Sequence, residues 1–371
     1  MYRSRTRNLT ALLYHSRVRW PASRGAWART GCALLLALAL GPRIPGTAGL
    51  PDRLERFREL ALSRQGLLQL DVDAAADAYR EMYALLDEEI VENLATGGPF
   101  ASTGFLQERL DAFGDAWGAA ALGVVRVDRL VVGAFQLSDA PGANTVRVYG
   151  RFHGQPALLS TIHRDGRPAV YPLPPAPGGA AQFLTAWEGA ASGRGTRVLR
   201  LDLMRQKGDG VHVAWTTADV FGEELLARSY QVRGAEIRVR YELHYPGWTP
   251  GCAGQTEEDD VFRLGPDGAV ARVSRVYHDA WHRELHEAVA RFFDALAGGA
   301  TEALARLVPD GRLRGRLPAS LHPEPACDAP DGSPVPRTVS VAASGERVPW
   351  ELVFRRESDG WRLVRAAPVL E

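Results

Sequence analysis

The residues whose types and spacing best suit chemistry are three histidines in the C-terminal third of the chain. His278, His282 and His286 recur every fourth residue in a segment that also carries several carboxylates. A helix turns about 100° per residue, so neighbouring members of this series lie on one face, one turn apart. Imidazoles so placed can bind a metal ion, transfer protons or respond to pH. The sequence therefore identifies these three histidines as candidate binding residues.

Three interpretations of the histidine series remain open. The histidines can pack where a helix meets a sheet, hydrogen-bonded to backbone or carboxylates, or form a metal or proton-transfer site, or form a pH-responsive contact. Helix positions eight residues apart are about 12 Å apart along the axis, so an adjacent pair can share an ion but all three cannot easily do so. Glu284 stands one place later than the zinc-protease motif requires. We adopt the packing interpretation and assign no catalytic residue, no metal and no cofactor.

Other motifs that carry chemistry are missing from the sequence. It contains no Gly-x-Ser-x-Gly elbow, no phosphate-binding glycine loop and no Cys-x-x-Cys pair. The acidic run Glu257–Asp260 lacks the alternating oxygen ligands of a calcium loop, so we interpret it as a solvated turn that enters a strand. No motif specifies a reaction.

The charges divide the chain into a basic leader and a mildly acidic remainder. The 371 residues hold 44 basic and 44 acidic side chains, but residues 1–50 contain eight Arg and no Asp or Glu. The remainder carries a net charge of −8, which argues against nucleic-acid binding. Behind the basic stretch, the apolar run Cys32–Leu40 precedes small residues. This order predicts a cleavable signal peptide over residues 1–48.

The leader predicts a secreted or periplasmic protein. Its apolar run rises only about 14 Å as a helix, against a hydrocarbon core of about 30 Å, so we expect no permanent transmembrane span. An organelle transit peptide is the alternative, because the leader is rich in Arg and free of acids. Once the leader is removed, Cys252 and Cys327 remain. We expect them to form a disulfide; two unpaired thiols are the alternative.

The first part of the mature chain predicts helices followed by strands. Helical stripes begin near Asp52 and Asp73, and a third stripe, capped by Ser102 or Thr103, ends at Trp117. From about residue 121 the apolar period changes to two, and Asp165-Gly166 predicts a hairpin turn. The Pro-rich segment 171–179 predicts a boundary. Residues 49–179 are therefore expected to form an N-terminal α+β domain.

The second part predicts an antiparallel meander over residues 180–277. Apolar residues alternate with Arg, Glu and His over 237–245, which is typical of a sheet with one apolar and one solvated face. No alternation of strands and helices supports a Rossmann-type fold. A long helix from about residue 279, a short helix capped by Thr301 and a final hairpin complete a C-terminal α+β domain, 278–371. The expected fold class is α+β.

The last 85 or so residues resemble the cone-shaped NTF2-like α+β domains. The resemblance rests on the helix Glu287–Leu296, the small-residue break and second helix after it, and the hairpin formed by Trp350–Phe354 and Asp359–Val364. It implies a helix pair packed on an antiparallel sheet. Because the family includes enzymes, ligand carriers and assembly modules, the resemblance leaves the function open. No position aligns with the family's catalytic Asp/His pairs, so no residue role is carried over.

These observations support three functions. We expect an exported, non-catalytic protein that binds a small ligand or an envelope component. The alternative is a secreted hydrolase with a His/carboxylate site near residues 278–287, and a third possibility is a structural module of an envelope assembly. A His or carboxylate pair in a deep pocket would favour the enzyme, and an apolar pocket would favour the carrier. A flat apolar patch would favour assembly.

Overall fold

The computed structural model describes seven stretches of the chain: 52–62, 72–118, 120–139, 142–193, 195–222, 225–346 and 348–369. The predicted signal peptide, residues 1–48, lies outside them. Within them the chain combines helices with three antiparallel sheets, so the predicted α+β class is confirmed. No helix in these stretches combines the length and apolarity needed to span a membrane.

Three helices begin the described chain, as the apolar stripes predict. They are α1 (Arg53–Leu62), α2 (Val72–Thr96) and α3 (Thr103–Trp117). Ser102 caps α3, because its Oγ accepts a hydrogen bond from the Phe105 N–H at 3.2 Å. The first sheet follows, with order β1-β2-β3-β4, and consists of β1 (Ala121–Val127), β2 (Leu130–Gln136), β3 (Asn144–Phe152) and β4 (Gln155–His163). The helices and this sheet share one apolar core.

The second sheet has eight strands in the order β12-β11-β10-β9-β7-β6-β5, with β8 paired to β7. Its strands are β5 (Arg167–Pro172), β6 (Gln182–Glu188), β7 (Arg197–Lys207), β8 (Gly210–Thr216), β9 (Leu226–Arg233), β10 (Glu236–Glu242), β11 (Glu257–Leu264) and β12 (Val270–His278). A short helix, α4 (Ala218–Phe221), follows β8. The Pro-rich segment after β5 leads directly to β6, which is the strand that pairs with β5.

Two local predictions in this region are wrong. Asp165-Gly166 does not close a hairpin, because β4 pairs with β3 and β5 pairs with β6, so the turn connects two sheets. The acidic run is not a solvated turn, because Glu257–Asp260 lies inside β11. Three of its carboxylates, Glu257, Glu258 and Asp260, pair with arginines of β9, β10 and β12: Arg228, Arg240, Arg272 and Arg275. The arginines compensate the negative charges of these three carboxylates, so we assign the acidic run a structural role.

The C-terminal part places a long helix against the third sheet. Its helices are α5 (Ala280–Ala297), α6 (Thr301–Leu307) and α7 (Gly311–Arg314). Its strands are β13 (His322–Pro323), β14 (Ala329–Pro330), β15 (Thr338–Gly345), β16 (Val348–Glu357) and β17 (Gly360–Pro368). Leu285 and Phe292 of α5 belong to the same buried cluster as Leu352 and Phe354 of β16. Contrary to the prediction, Thr301 does not cap α6, since Ala300 is the N-cap residue.

Candidate binding site

The long helix α5 brings two of the three candidate histidines together. His282 and His286 lie one turn apart with ring centroids 4.6 Å from each other, and both side chains are buried. His278 does not continue this series, because it is the last residue of β12. Asp279 separates the strand from the helix with a left-handed backbone, φ 50°. The predicted helical spacing of the three histidines therefore holds for only two of them.

Thr256 fixes the start of α5 from a distant part of the chain. Its Oγ1 donates a hydrogen bond to the Asp279 carbonyl at 2.7 Å and accepts one from the Arg283 N–H at 3.1 Å. The hydroxyl thus satisfies an amide of the first turn that would otherwise lack a partner. Because Thr256 immediately precedes β11, the second sheet sets the position of the helix that carries His282 and His286.

A single carboxylate oxygen contacts both imidazoles. Asp328 Oδ2 lies 2.6 Å from His282 Nε2 and 2.6 Å from His286 Nε2. The Asp328 side chain is only 6% exposed. Burial alone would raise the pKa of this carboxyl, but the hydrogen bonds and charge interactions with the two histidines lower the pKa overall. Asp328 is therefore a carboxylate at neutral pH.

Tyr245 orients the first of these imidazoles. Its Oη lies 2.5 Å from His282 Nδ1 and accepts a hydrogen bond from the Thr256 N–H at 3.0 Å. Burial raises the pKa of Tyr245 to about 12, so the phenol keeps its proton. Because the Asp328 carboxylate can only accept a hydrogen bond, His282 Nε2 carries a proton, and in the neutral imidazole Nδ1 then accepts from the Tyr245 hydroxyl. His282 Nε2–H then donates to Asp328.

The predicted disulfide between Cys252 and Cys327 is present, with Cα atoms 5.2 Å apart. It joins the loop between β10 and β11 to the segment between β13 and β14. Cys327 directly precedes Asp328, so the bridge holds the carboxylate next to α5. The same bridge holds the loop that begins at Tyr245. Two residues with polar contacts to the histidines are therefore fixed by one covalent link.

A cleft of about 480 Å³ opens beside this cluster, and His286 and Asp328 form part of its lining. The apolar part of the lining comes from the loop before the disulfide, from α5, from the 323–326 segment and from β15: Pro246, Trp248, Val289, Ala290, Phe293, Pro323, Pro325, Ala326 and Val341. Two exposed carboxylates, Asp294 and Glu324, also face the cleft. None of the described lining residues is Lys or Arg.

The sequence identified His282, His286 and the two cysteines but missed Tyr245, Thr256 and Asp328. A usable signal for Asp328 was its position directly after Cys327. A bridge to Cys252 had to bring this carboxylate close to the chain that follows Tyr245. No comparable signal in the sequence points to Thr256. His282, His286 and Asp328 each offer one side-chain atom that could bind a metal ion, and these three atoms lie within 4.8 Å of one another.

Comparisons with known proteins do not assign this chain to a family. No family model matches it, and no curated protein matches it. A solved structure of a protein from Lactobacillus plantarum is similar over 65% of this chain and 69% of its own length, with 11% identity and a TM-score of 0.19. Similarity at this level carries no argument about fold or function.

Proposed function

We propose that this protein is an exported, non-catalytic protein that binds a small ligand with an apolar body and a cationic or hydrogen-bond-donating head group. The observation that carries the proposal is the mainly apolar cleft whose lining includes His286 and Asp328. Its volume of about 480 Å³ lies within the range of about 300–1,000 Å³ that is usual for small-molecule sites. A mainly apolar wall with a few convergent polar groups is the usual composition of such sites.

The charges of the cleft favour a cation. Asp294 and Glu324 are exposed in its lining, and the ionised Asp328 belongs to the same lining. No described lining residue is Lys or Arg, so a positive head group gains attraction from Asp294 and Glu324, whereas Asp328 is already paired with two imidazoles. The apolar body of the ligand would contact Val289 and Phe293 of α5. Trp248, on the loop before the disulfide, adds an aromatic surface.

Export is supported by two independent features. The basic and apolar order of residues 1–48 predicts a signal peptide, and the Cys252–Cys327 disulfide fits an oxidising compartment such as the periplasm or the extracellular space. The NTF2-like interpretation of the last 85 or so residues belongs to the same proposal. It is supported by α5 packed against β16 and β17, and such domains include ligand carriers. The cleft favours a small ligand over an envelope component as the bound species.

Calorimetry of the chelator-treated, metal-free chain with three probes of equal length tests the ligand class. We expect n-hexylammonium to bind more tightly than n-hexanol, and n-hexanoate to bind least, because only the first is attracted by the carboxylates. Ala290→Trp fills the cleft and should abolish binding. Glu287→Trp is the matched control, because Glu287 lies on the same helix, is exposed and does not line the cleft. Preferred binding of hexanoate, or equal loss in both variants, would contradict the proposal.

The secreted hydrolase is a second candidate, because His286 and Asp328 meet at the cleft as a general base and its partner would. Hydrolysis of p-nitrophenyl acetate distinguishes the two functions. The binding protein should show no turnover above the rate in buffer. Turnover that His286→Gln removes while the fold is retained would favour the hydrolase instead.

A further inference from the structure

We propose that His282, His286 and Asp328 bind one Zn²⁺ ion, with a fourth coordination position that faces the cleft. The inference goes beyond the proposed function, which concerns the metal-free chain, because a bound dication would oppose a cationic head group in the same cleft. It rests on the juxtaposition of three donor atoms, His282 Nε2, His286 Nε2 and Asp328 Oδ2, within 4.8 Å of one another. Two imidazole nitrogens and one carboxylate oxygen are a donor set typical of Zn²⁺ sites that keep an open position.

The geometry needs only a small adjustment to admit the ion. The oxygen of Asp328 now lies 2.6 Å from each imidazole nitrogen, a hydrogen-bond distance. Tetrahedral zinc with bonds of about 2.0–2.1 Å separates its ligands by roughly 3.3 Å. Each of the two oxygen–nitrogen separations therefore has to lengthen by only about 0.7 Å for metal bonds to replace the N–H···O contacts. A helix that offers histidines at i and i+4 already provides the required spacing.

One of the two imidazoles, that of His282, has a hydrogen-bond partner on the ring nitrogen that would not bind the ion. Tyr245 Oη contacts His282 Nδ1, on the side of the ring opposite the donor nitrogen. When Nε2 binds the ion, the ring proton moves to Nδ1, and the Tyr245 hydroxyl turns its own hydrogen away so that its oxygen accepts from Nδ1 while still accepting from Thr256. Such partners fix the tautomer and the ring orientation of zinc-bound histidines. Tyr245 is thus a positioning residue for the site.

The cleft supplies the fourth position. His286 and Asp328 line it, whereas His282 does not, so the open side of the cluster faces the cleft on their side. Water or a donor atom of a bound ligand can complete the tetrahedron there. Asp294 and Glu324 in the same lining add negative charge near a dication. The disulfide holds Asp328 in the set, because Cys327 is its neighbour.

The test is equilibrium dialysis of the full chain, disulfide intact and freed of metal with a chelator, against Zn²⁺ alone. We expect one ion per chain. Asp328→Asn and His286→Gln each remove a ligand and should weaken binding by more than about 100-fold, whereas Tyr245→Phe should weaken it by about 10- to 100-fold. His278→Gln is the matched control, because this histidine lies four residues before His282 and outside the donor set, and it should bind like the wild type.

Absence of stoichiometric Zn²⁺ binding by the wild type would overturn the proposal, and so would equal affinity in Asp328→Asn and wild type. A variant that fails to fold is replaced by a measurement on the wild type: X-ray absorption of the zinc-loaded chain should show two imidazoles at about 2.0–2.1 Å. Fewer than two imidazoles would overturn the assignment. Dialysis measures bound Zn²⁺ and calorimetry measures bound n-hexylammonium, so a failure of the zinc proposal is distinguishable from a failure of the proposed function.

Discussion

Gly247 approaches the ring of His286 so closely that a Cβ atom at position 247 would lie 1.8 Å from His286 Nδ1. The backbone of Gly247 also has a left-handed conformation, φ 82°, which disfavours residues with a side chain. Position 247 therefore requires glycine for two reasons: its backbone is left-handed, and the His286 side chain of α5 leaves no space for a Cβ atom. The close approach presses the loop before the disulfide against α5 and fixes one wall of the cleft.

Gly247→Ala is expected to destabilise the protein by about 3 kcal/mol, because backbone strain adds to the displacement of the His286 ring. Urea unfolding measures this change. Gly178→Ala is the matched control, since Gly178 has φ 84° and open space around its Cβ position. It should cost only about 1 kcal/mol, from strain alone. Equal losses of stability in the two variants would show that the close approach of His286 adds nothing to the cost of Gly247→Ala.

The Cys252–Cys327 disulfide should stabilise both the fold and the cleft. It closes a loop of 75 residues, which corresponds to about 4 kcal/mol in the chain-entropy model. The double variant Cys252→Ser, Cys327→Ser should therefore unfold at lower urea and bind n-hexylammonium more weakly, because the segment carrying Asp328 is released. Reduced wild type should behave like the double variant. Unchanged affinity in both would mean that non-covalent contacts alone position Asp328.

The histidine pair was predictable because a helix repeats locally, and the disulfide was predictable because only two cysteines follow the predicted leader. The partners of the histidines were not predictable in this way. Asp328 contacts His286 across 42 residues, and Tyr245 contacts His282 across 37, so only the packed chain brings them together. His278 was misplaced because the left-handed residue Asp279 ends the strand just before the helix begins.

The acidic run was misinterpreted because its stabilising partners lie on other strands. Four consecutive acidic residues suggest solvent exposure when considered alone. In the sheet, Glu258 and Asp260 point to one face of β11 and are almost completely buried. Arg275, on the adjacent strand β12, contacts both of them, which compensates their charge. Pairing across strands is a property of register, and spacing within one strand cannot reveal it.

Arg275→Met should destabilise the protein by about 3 kcal/mol, because it leaves buried carboxylates without their main cation. Arg275 Nε lies 2.9 Å from Asp260 Oδ1, and its Nη2 lies 2.9 Å from Glu258 Oε2. Thermal unfolding measures the loss. In Arg263→Met, the control, an exposed pair with Glu236 is broken, and the expected cost is below about 1 kcal/mol. A similar cost in both variants would argue that the buried network adds no stability.

Asp331 organises the turn before β15 through its ionised form. Its carboxylate accepts hydrogen bonds from the backbone N–H groups of Ser333 at 3.0 Å, Arg337 at 2.9 Å and Thr338 at 3.0 Å. The bonds from the Ser333 and Thr338 amides are the main reason that the pKa of this carboxyl lies well below its ordinary value. A folded pKa below the unfolded one means that ionisation stabilises the native state above the unfolded pKa of about 3.9.

The stability difference between wild type and Asp331→Asn should therefore be constant from about pH 5 to pH 7 and shrink as the pH falls below about 4. The asparagine cannot ionise, so its own stability lacks this contribution at every pH. Urea unfolding of both proteins across that range measures the difference, with the same salt concentration throughout because screening alters exposed charges. A difference that grows on acidification would have the opposite sign from that of a carboxylate stabilised by backbone amides, and would exclude this role for Asp331.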